Sequence, residues 1–146
     1  MGQRQSLILG LLGLIPFIIL IFASFISPPD GEIYELLIFI YISYAAVISS
    51  FLGGIQWGLI TASSDKIYSI FLPLFFTTIP CLIGWCALLT LKNLTTSLIL
   101  IIISFVVSSL HDYYLYQQKI TPHWYLSLRI PLSVAVVILS SVLFFF

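Results

Sequence analysis

Three residues able to carry or stabilise charge lie inside apolar stretches long enough to cross a bilayer, namely Gln56, Asp112 and Arg129. A charged side chain in lipid is costly unless it reaches the interface or finds a partner, and an aspartate is too short to reach far. Each of the three lies about five or six residues from a helix end on the same predicted side, which corresponds to about 8–9 Å of depth. We therefore predict that Asp112 pairs with Arg129, with Gln56 nearby.

Two interpretations of this polar cluster remain open. The cluster is either a structural clamp that fixes helix register, or a site such as a proton relay or the floor of a pocket for an ion or a lipid-soluble ligand. A single matched pair without a second carboxylate satisfies itself, which favours the clamp. His111 immediately precedes Asp112 in the sequence but points about 100° away from it around the helix. We therefore expect a packed or interfacial histidine rather than a partner in proton transfer.

The elements that position these residues must be membrane-spanning helices. Hydrophobic residues make up 61% of the chain and charged residues only 7%, which is too apolar for a soluble domain of this length. The zero formal charge offers no basic field for nucleic acid. We predict an all-α polytopic bundle of five transmembrane helices, forming one transmembrane domain over residues 1–146, with helices at about 7–26, 35–62, 68–91, 96–116 and 124–146.

A ladder of small residues runs along the second predicted span. Its members recur every fourth position and include a GxxxG pair: Ala46, Ser50, Gly54, Gly58 and Ala62. Gly53 belongs to a second small or polar face of the same helix, together with Ser49 and Gln56. Such faces allow helices to approach closely in lipid, either within one chain or between two copies, and in a five-span chain we favour packing within the chain.

The basic residues indicate an orientation. With five spans, the N-terminus, the second loop and the fourth loop lie on one side of the membrane. That side holds four of the five basic residues, Arg4, Lys66, Lys119 and Arg129, whereas the other side holds Lys92. The positive-inside rule therefore predicts the N-terminus inside and the C-terminus outside.

No motif in the sequence points to catalysis. His111 and His123 have no cysteine near them, and neither a phosphate-binding loop nor a nucleophile elbow is present. We therefore expect a non-enzymatic protein without a bound cofactor or metal.

Three sequence elements resemble a known family. They are Ser-Phe-Leu-Gly-Gly followed by Trp-Gly within 50–58, Trp-Tyr-Leu-Ser-Leu-Arg within 122–132, and Gly-Leu-Ile-Pro at 13–16, with Asp112 late in the fourth span. Together they resemble the family of the mitochondrial transmembrane protein 69 and its bacterial inner-membrane relatives. The resemblance covers nearly the whole chain. It implies an integral protein of a bacterial plasma membrane or a mitochondrial inner membrane, and it implies no reaction.

Two functional hypotheses follow. The first is an accessory or assembly subunit that binds other membrane proteins through its helix faces, because almost nothing projects into water. The alternative is a small transporter or lipid-soluble ligand-binding protein that uses Gln56, Asp112 and Arg129, with the third span kinked at Pro80. A transporter requires a water-accessible cavity that reaches the cluster, whereas a scaffold packs the cluster dry.

Overall fold

The fold was established from a computed structural model, which describes residues 2–29, 31–66 and 69–145. Regular structure within these residues is helical throughout, and five segments are long and apolar enough to cross a membrane. The prediction of an all-α bundle with five spans is therefore confirmed. The α-helices are α1 (Gly2–Leu12), α2 (Ile15–Ile26), α3 (Glu32–Ala62), α4 (Phe71–Leu89), α5 (Leu94–Gln117) and α6 (His123–Val142), with short 3₁₀ turns at Ser64–Lys66 and Leu143–Phe145. The predicted start of the third span at residue 68 and the predicted end of the fifth at residue 146 lie outside the described residues.

The first span is broken, which the sequence reasoning did not anticipate. A single helix was expected over 7–26, but α1 ends at Leu12 and α2 begins at Ile15. Pro16 has no N–H to donate to a carbonyl one turn earlier, which interrupts the helical ladder. Within the break, the carbonyl oxygen of Gly13 accepts a hydrogen bond of 3.0 Å from the hydroxyl of Tyr44 on α3. The break lies near the middle of a span of 24 residues, Gln3–Ile26.

The α3 helix is the centre of the bundle. It packs against α2, α4 and α5, whereas α6 closes the bundle by packing against α5, α1 and α2. The core contains fully buried aliphatic and aromatic side chains from α2, α3 and α5, among them Phe17, Tyr41, Ile42, Leu98 and Phe105. Phe17 contacts the rings of Tyr41 and Phe105 edge to face, which fastens the second half of the broken span to its neighbours.

The small-residue ladder is only partly covered by the chain itself. A Cβ atom on Gly84 of α4 would lie 3.2 Å from the Cα atom of Ala46, so the two helices touch there almost backbone to backbone. A Cβ atom on Gly54 or Gly58 would meet no atom within 4 Å in the part of the chain that the structure describes. The expectation that this ladder packs within the chain is therefore wrong at these two glycines. The other members divide in the same way, since Ala46 is buried whereas Ser50 and Ala62 are exposed.

Helical geometry explains the difference. Four residues turn an α-helix by about 400°, so each step of the ladder rotates by about 40°, and Ala62 lies about 160° around the helix from Ala46. The face that follows α4 closely continues instead through Gly53, where a Cβ atom would lie 2.5 Å from the carbonyl oxygen of Thr77. Contacts with α4 therefore pass from Ala46 to Gly53, and Gly54 and Gly58 turn outward.

Candidate functional site

Asp112 is the centre of the buried polar cluster. Its side chain is fully buried, and three side chains donate hydrogen bonds to its carboxylate. The Oδ1 atom accepts from Gln56 Nε2 at 2.8 Å and from the hydroxyl of Tyr125 at 3.1 Å. The Oδ2 atom accepts from Arg129, through Nε at 3.1 Å and Nη2 at 3.0 Å. The structure thus brings together the three residues that the sequence singled out, from α3, α5 and α6.

Arg129 joins the last two spans through this ion pair. It is 5% exposed, and its Nη2 atom also lies 3.4 Å from Ser108 Oγ, one turn before Asp112 on α5. An arginine and an aspartate that meet in a buried environment neutralise each other, and each removes the penalty of the other's isolated charge. The pair therefore holds α6 against α5 at a fixed register.

Gln56 extends the cluster to a histidine that the sequence reasoning set aside. The Gln56 amide nitrogen donates to Asp112 and, at 2.9 Å, to the carbonyl oxygen of Ser108. Its amide oxygen lies 3.1 Å from His111 Nδ1. Because this oxygen can only accept, His111 must carry its proton on Nδ1, which leaves Nε2 as an acceptor. That Nε2 atom is buried and has no hydrogen-bond partner.

His111 is therefore a packed histidine, as expected, but one that belongs to the cluster. Its ring stacks on Tyr114 and approaches Phe76 on α4. A glutamine amide has a donor end and an acceptor end, so a Gln56 that donates to Asp112 presents its oxygen to the neighbouring position. A buried Gln56 therefore needs a donor for its amide oxygen as well as an acceptor for its amide nitrogen, and this requirement could have identified His111.

Tyr125 is the second member that the sequence reasoning missed. It lies four residues before Arg129, and residues at this spacing share one face of a helix. Its hydroxyl donates to Asp112 Oδ1. The segment around it is rich in aromatic residues, a composition typical of a membrane interface rather than of a buried site. The spacing to Arg129 would have favoured the buried position.

Serines form a second polar layer deeper in the bundle. Ser49 on α3 and Ser104 on α5 share a hydrogen bond between their hydroxyls, and Ser104 Oγ lies 2.8 Å from the carbonyl oxygen of Pro80 on α4. Another bond of 2.8 Å joins Tyr41 of α3 to Ser140 of α6. These bonds connect four spans through neutral groups, which favours close packing in lipid.

Two spaces lie beside the features described so far. A groove of about 230 Å³ runs between α3 and α4 next to Gly54, Trp57 and Cys81. A cavity of about 120 Å³ lies between the break in the first span, α3, α5 and α6, and Arg129 and Ser133 form part of its wall. The cavity therefore adjoins one edge of the polar cluster, while Gln56 and Asp112 are fully buried away from it.

This arrangement can hold charge but shows no reacting group. The carboxylate oxygens of Asp112 both receive hydrogen bonds from within the chain, and its counter-ion is in contact with it. A proton or metal ion that entered would have to displace these donors. Side-chain hydrogen bonds of the cluster join α3, α5 and α6.

Five apolar spans and a buried ion pair between the last two define a polytopic helical membrane protein. The chain belongs to the family described as "Protein of unknown function (DUF3429)", whose sequence profile matches residues 2–145. The resemblance inferred from the sequence elements is therefore confirmed.

Two curated relatives carry the name transmembrane protein 69. The protein of Xenopus tropicalis is 33% identical over 93% of this chain and 52% of its own length. The protein of Mus musculus is 28% identical over 88% of this chain and 51% of its own length. This chain thus spans about half the length of the curated relatives that it matches. No solved structure matches the chain.

Proposed function

We propose that this protein is a non-enzymatic accessory or assembly subunit that binds other membrane proteins through its helix faces. The observation that carries the proposal is the uncovered part of α3. Gly54 and Gly58 form a GxxxG pair at which an added Cβ atom would meet none of the described residues within 4 Å. A flat glycine surface in lipid allows a second helix to approach closely, and van der Waals contact then drives association.

The neighbouring side chains support a protein partner. Trp57 is 47% exposed and Phe51 is 62% exposed, on either side of Gly54 along the helix. Large aromatic side chains beside a flat surface provide the anchors that hold one helix in another's groove. The groove next to Gly54, of about 230 Å³, gives a side chain of the partner helix a place to insert.

The interior of the bundle also supports this proposal. The charged groups of the cluster are matched one to one and hydrogen-bonded within the chain. A protein whose buried charges are already satisfied has its free surface, rather than its interior, available for interaction. The side-chain hydrogen bonds of Asp112 also join α3, α5 and α6, which suits a rigid scaffold.

The test is purification from native membranes in a mild detergent, followed by mass spectrometry and a molar-mass measurement by light scattering. The double variant Gly54→Leu/Gly58→Leu should lose a membrane protein that the wild type retains at a fixed ratio. Its folded yield should be unchanged, because a Cβ atom at either glycine would meet no described atom within 4 Å. Leu110→Phe is the matched control, since it adds bulk to an exposed position of α5 and should retain the partner.

Two results would contradict the accessory role. If the retained species is only a second copy of this chain, the face is a homodimer interface. If the double variant and Leu110→Phe retain the same protein equally, the glycine face does not bind it.

The alternative function is a small transporter or a lipid-soluble ligand-binding protein that uses Gln56, Asp112 and Arg129. The cavity of about 120 Å³ against Arg129 favours it. A transporter would expose this cavity to water at some stage of its cycle. A cysteine placed at Ser133 in a variant without Cys81 and Cys86 should then react with a membrane-impermeant thiol reagent, whereas under the accessory proposal it should not.

We also propose that the protein resides in a bacterial plasma membrane or a mitochondrial inner membrane, with its N-terminus inside and its C-terminus outside. The choice of membrane rests on the resemblance of the sequence elements to the bacterial and mitochondrial family. The orientation is supported by the basic residues, since Arg4 and Lys119 fall at the opposite end of the predicted spans from Lys92. A reporter fused after the last residue should give an extracytoplasmic signal. A cytoplasmic signal would overturn the orientation.

A further inference from the structure

The cavity beside Arg129 has an unusual wall for a membrane protein. Part of it is the break in the first span, where Gly13 and Leu14 lie outside the two flanking helices. The backbone of this break is satisfied within the chain, because the N–H groups of Gly13 and Leu14 donate to the carbonyl oxygens of Leu9 and Leu11. Gly10 adds to this wall, because α1 lies so close to α6 that a Cβ atom there would be 2.8 Å from Leu132 Cδ1.

Ser133 is a polar residue of the wall with no partner. It is 3% exposed, and its hydroxyl makes no hydrogen bond. The other buried serines of the described residues all have one; for example, Ser24 donates to the carbonyl oxygen of Ile21, and Ser140 bonds to Tyr41. A buried hydroxyl without a partner costs free energy, so a group from outside the chain that bonds to it would be stabilised.

Arg129 supplies donors on the same wall. The bonds of its guanidinium to Asp112 and Ser108 use Nε and Nη2, and Nη1 takes part in none of them. Because an arginine has donors but no acceptor, a molecule that contacts it there must present an acceptor. The charge of Arg129 is already balanced by Asp112, so an anion would leave an unmatched negative charge in lipid. A neutral acceptor is therefore favoured over a carboxylate or a phosphate.

The size of the cavity limits the ligand further. A volume of about 120 Å³ is close to the roughly 150 Å³ of an engineered cavity that binds benzene. A single ring or an ester group fits such a space, and an acyl chain does not. Leu9 and Phe51, which also line the cavity, are 67% and 62% exposed, so the cavity lies next to the lipid-facing surface between α1 and α3. The apolar tail of a bound molecule can therefore extend into the lipid on that side.

We infer that this cavity binds the head group of a neutral lipid-soluble molecule whose polar end is a carbonyl oxygen, such as a quinone ring or a lipid ester. The carbonyl oxygen accepts from Arg129 and Ser133, and the apolar remainder lies in the bilayer. This inference rests on the alternative function proposed above, since both use the cavity beside Arg129. The accessory role is tested separately, by the partner that the Gly54/Gly58 face retains.

The experiment measures binding of four probes to the purified full chain in micelles of dodecyl maltoside, a detergent without a carbonyl group, by thermal unfolding and titration calorimetry. The probes share a ten-carbon chain: decylbenzoquinone, methyl decanoate, decanoate and decane. Saturable stabilisation by the quinone or the ester, but not by decanoate or decane, is expected. Whichever of the quinone and the ester stabilises the chain more shows whether the bound carbonyl belongs to a quinone or to a lipid ester.

Three variants locate the site. Ser133→Ala should weaken binding about five- to tenfold through the lost hydrogen bond, and its stability without probe should not fall, because the hydroxyl has no partner. Leu132→Phe should fill the cavity and abolish binding. Val134→Phe is the control: Val134 and Ser133 both border an outer groove between α5 and α6, but Val134 does not line the cavity.

Several outcomes would overturn the inference. Equal stabilisation by decane would mean an apolar space without an acceptor site, and stabilisation by none of the probes would mean that water alone fills the cavity. Loss of binding in Val134→Phe but not in Leu132→Phe would place the molecule in the outer groove. If Leu132→Phe fails to fold, unchanged affinity in Ser133→Ala refutes the proposal by itself.

Discussion

Neutralising the buried ion pair tests whether it is a clamp. The three variants are Asp112→Asn, Arg129→Gln and the combination of both. In Asp112→Asn the Arg129 charge remains in a nearly fully buried position without a counter-ion. In Arg129→Gln the Asp112 carboxylate keeps hydrogen bonds from Gln56 and Tyr125 but loses its positive partner. In the double variant no unmatched charge is left.

The expected magnitudes follow from the geometry. At the 3.0 Å between Arg129 Nη2 and Asp112 Oδ2, an effective dielectric constant of about 20 gives a Coulomb attraction of about 5 kcal/mol, most of which desolvation offsets. Leaving one charge unpaired costs about 3–5 kcal/mol for Asp112→Asn. We expect about 2–3 kcal/mol for Arg129→Gln, because two donors remain, and about 1–2 kcal/mol for the double variant. The coupling energy is then about 3 kcal/mol or more.

The assay is unfolding of the purified variants in mixed micelles with increasing denaturing detergent, followed by circular dichroism. Lys92→Gln and Glu35→Gln are the control pair, because both residues lie at the opposite end of the bundle from the cluster, and their small losses should be additive. The reasoning is refuted if the losses of the two single cluster variants sum to that of the double variant within about 0.5 kcal/mol.

Two further predictions concern the helix contacts. Gly53→Ala should reduce the free energy of unfolding by about 1–3 kcal/mol, because its Cβ atom would lie 2.5 Å from the backbone carbonyl oxygen of Thr77. Gly54→Ala is the control, and it should be neutral or add up to about 1 kcal/mol from helix propensity. Equal effects of the two variants in the same micelle assay would contradict the packing. Tyr44→Phe should cost about 1–2 kcal/mol by leaving the Gly13 carbonyl without its donor. Amide hydrogen exchange should become faster in the first span and stay unchanged in α5. Unaltered exchange in the first span would show that the bond is dispensable.

Much of the fold could be predicted from the sequence because lipid allows few solutions. A span must satisfy its backbone internally, so apolar length and short polar turns locate the helices. The meeting of Asp112 with Arg129 was also predictable. Few charges occur inside the spans, and two opposite ones at equal depth on consecutive helices have little alternative to pairing.

Other features depend on relative rotation of helices, which the sequence does not specify. Every-fourth spacing identified the small residues of α3 but not the point where the ladder turns away from α4, since that depends on the contact between Gly53 and Thr77. The break in the first span was missed because its residues are as apolar as those of a continuous helix. Pro16, three residues after Gly13, was the feature of the sequence that indicated a break.

The hydrogen bond from Tyr44 to Gly13 has a consequence for the first two spans. A bare carbonyl in hydrocarbon is expensive, and the hydroxyl that relieves it belongs to the following span. The broken segment therefore relies on its neighbour to satisfy this carbonyl, and the first two spans are most stable when they lie side by side in the membrane.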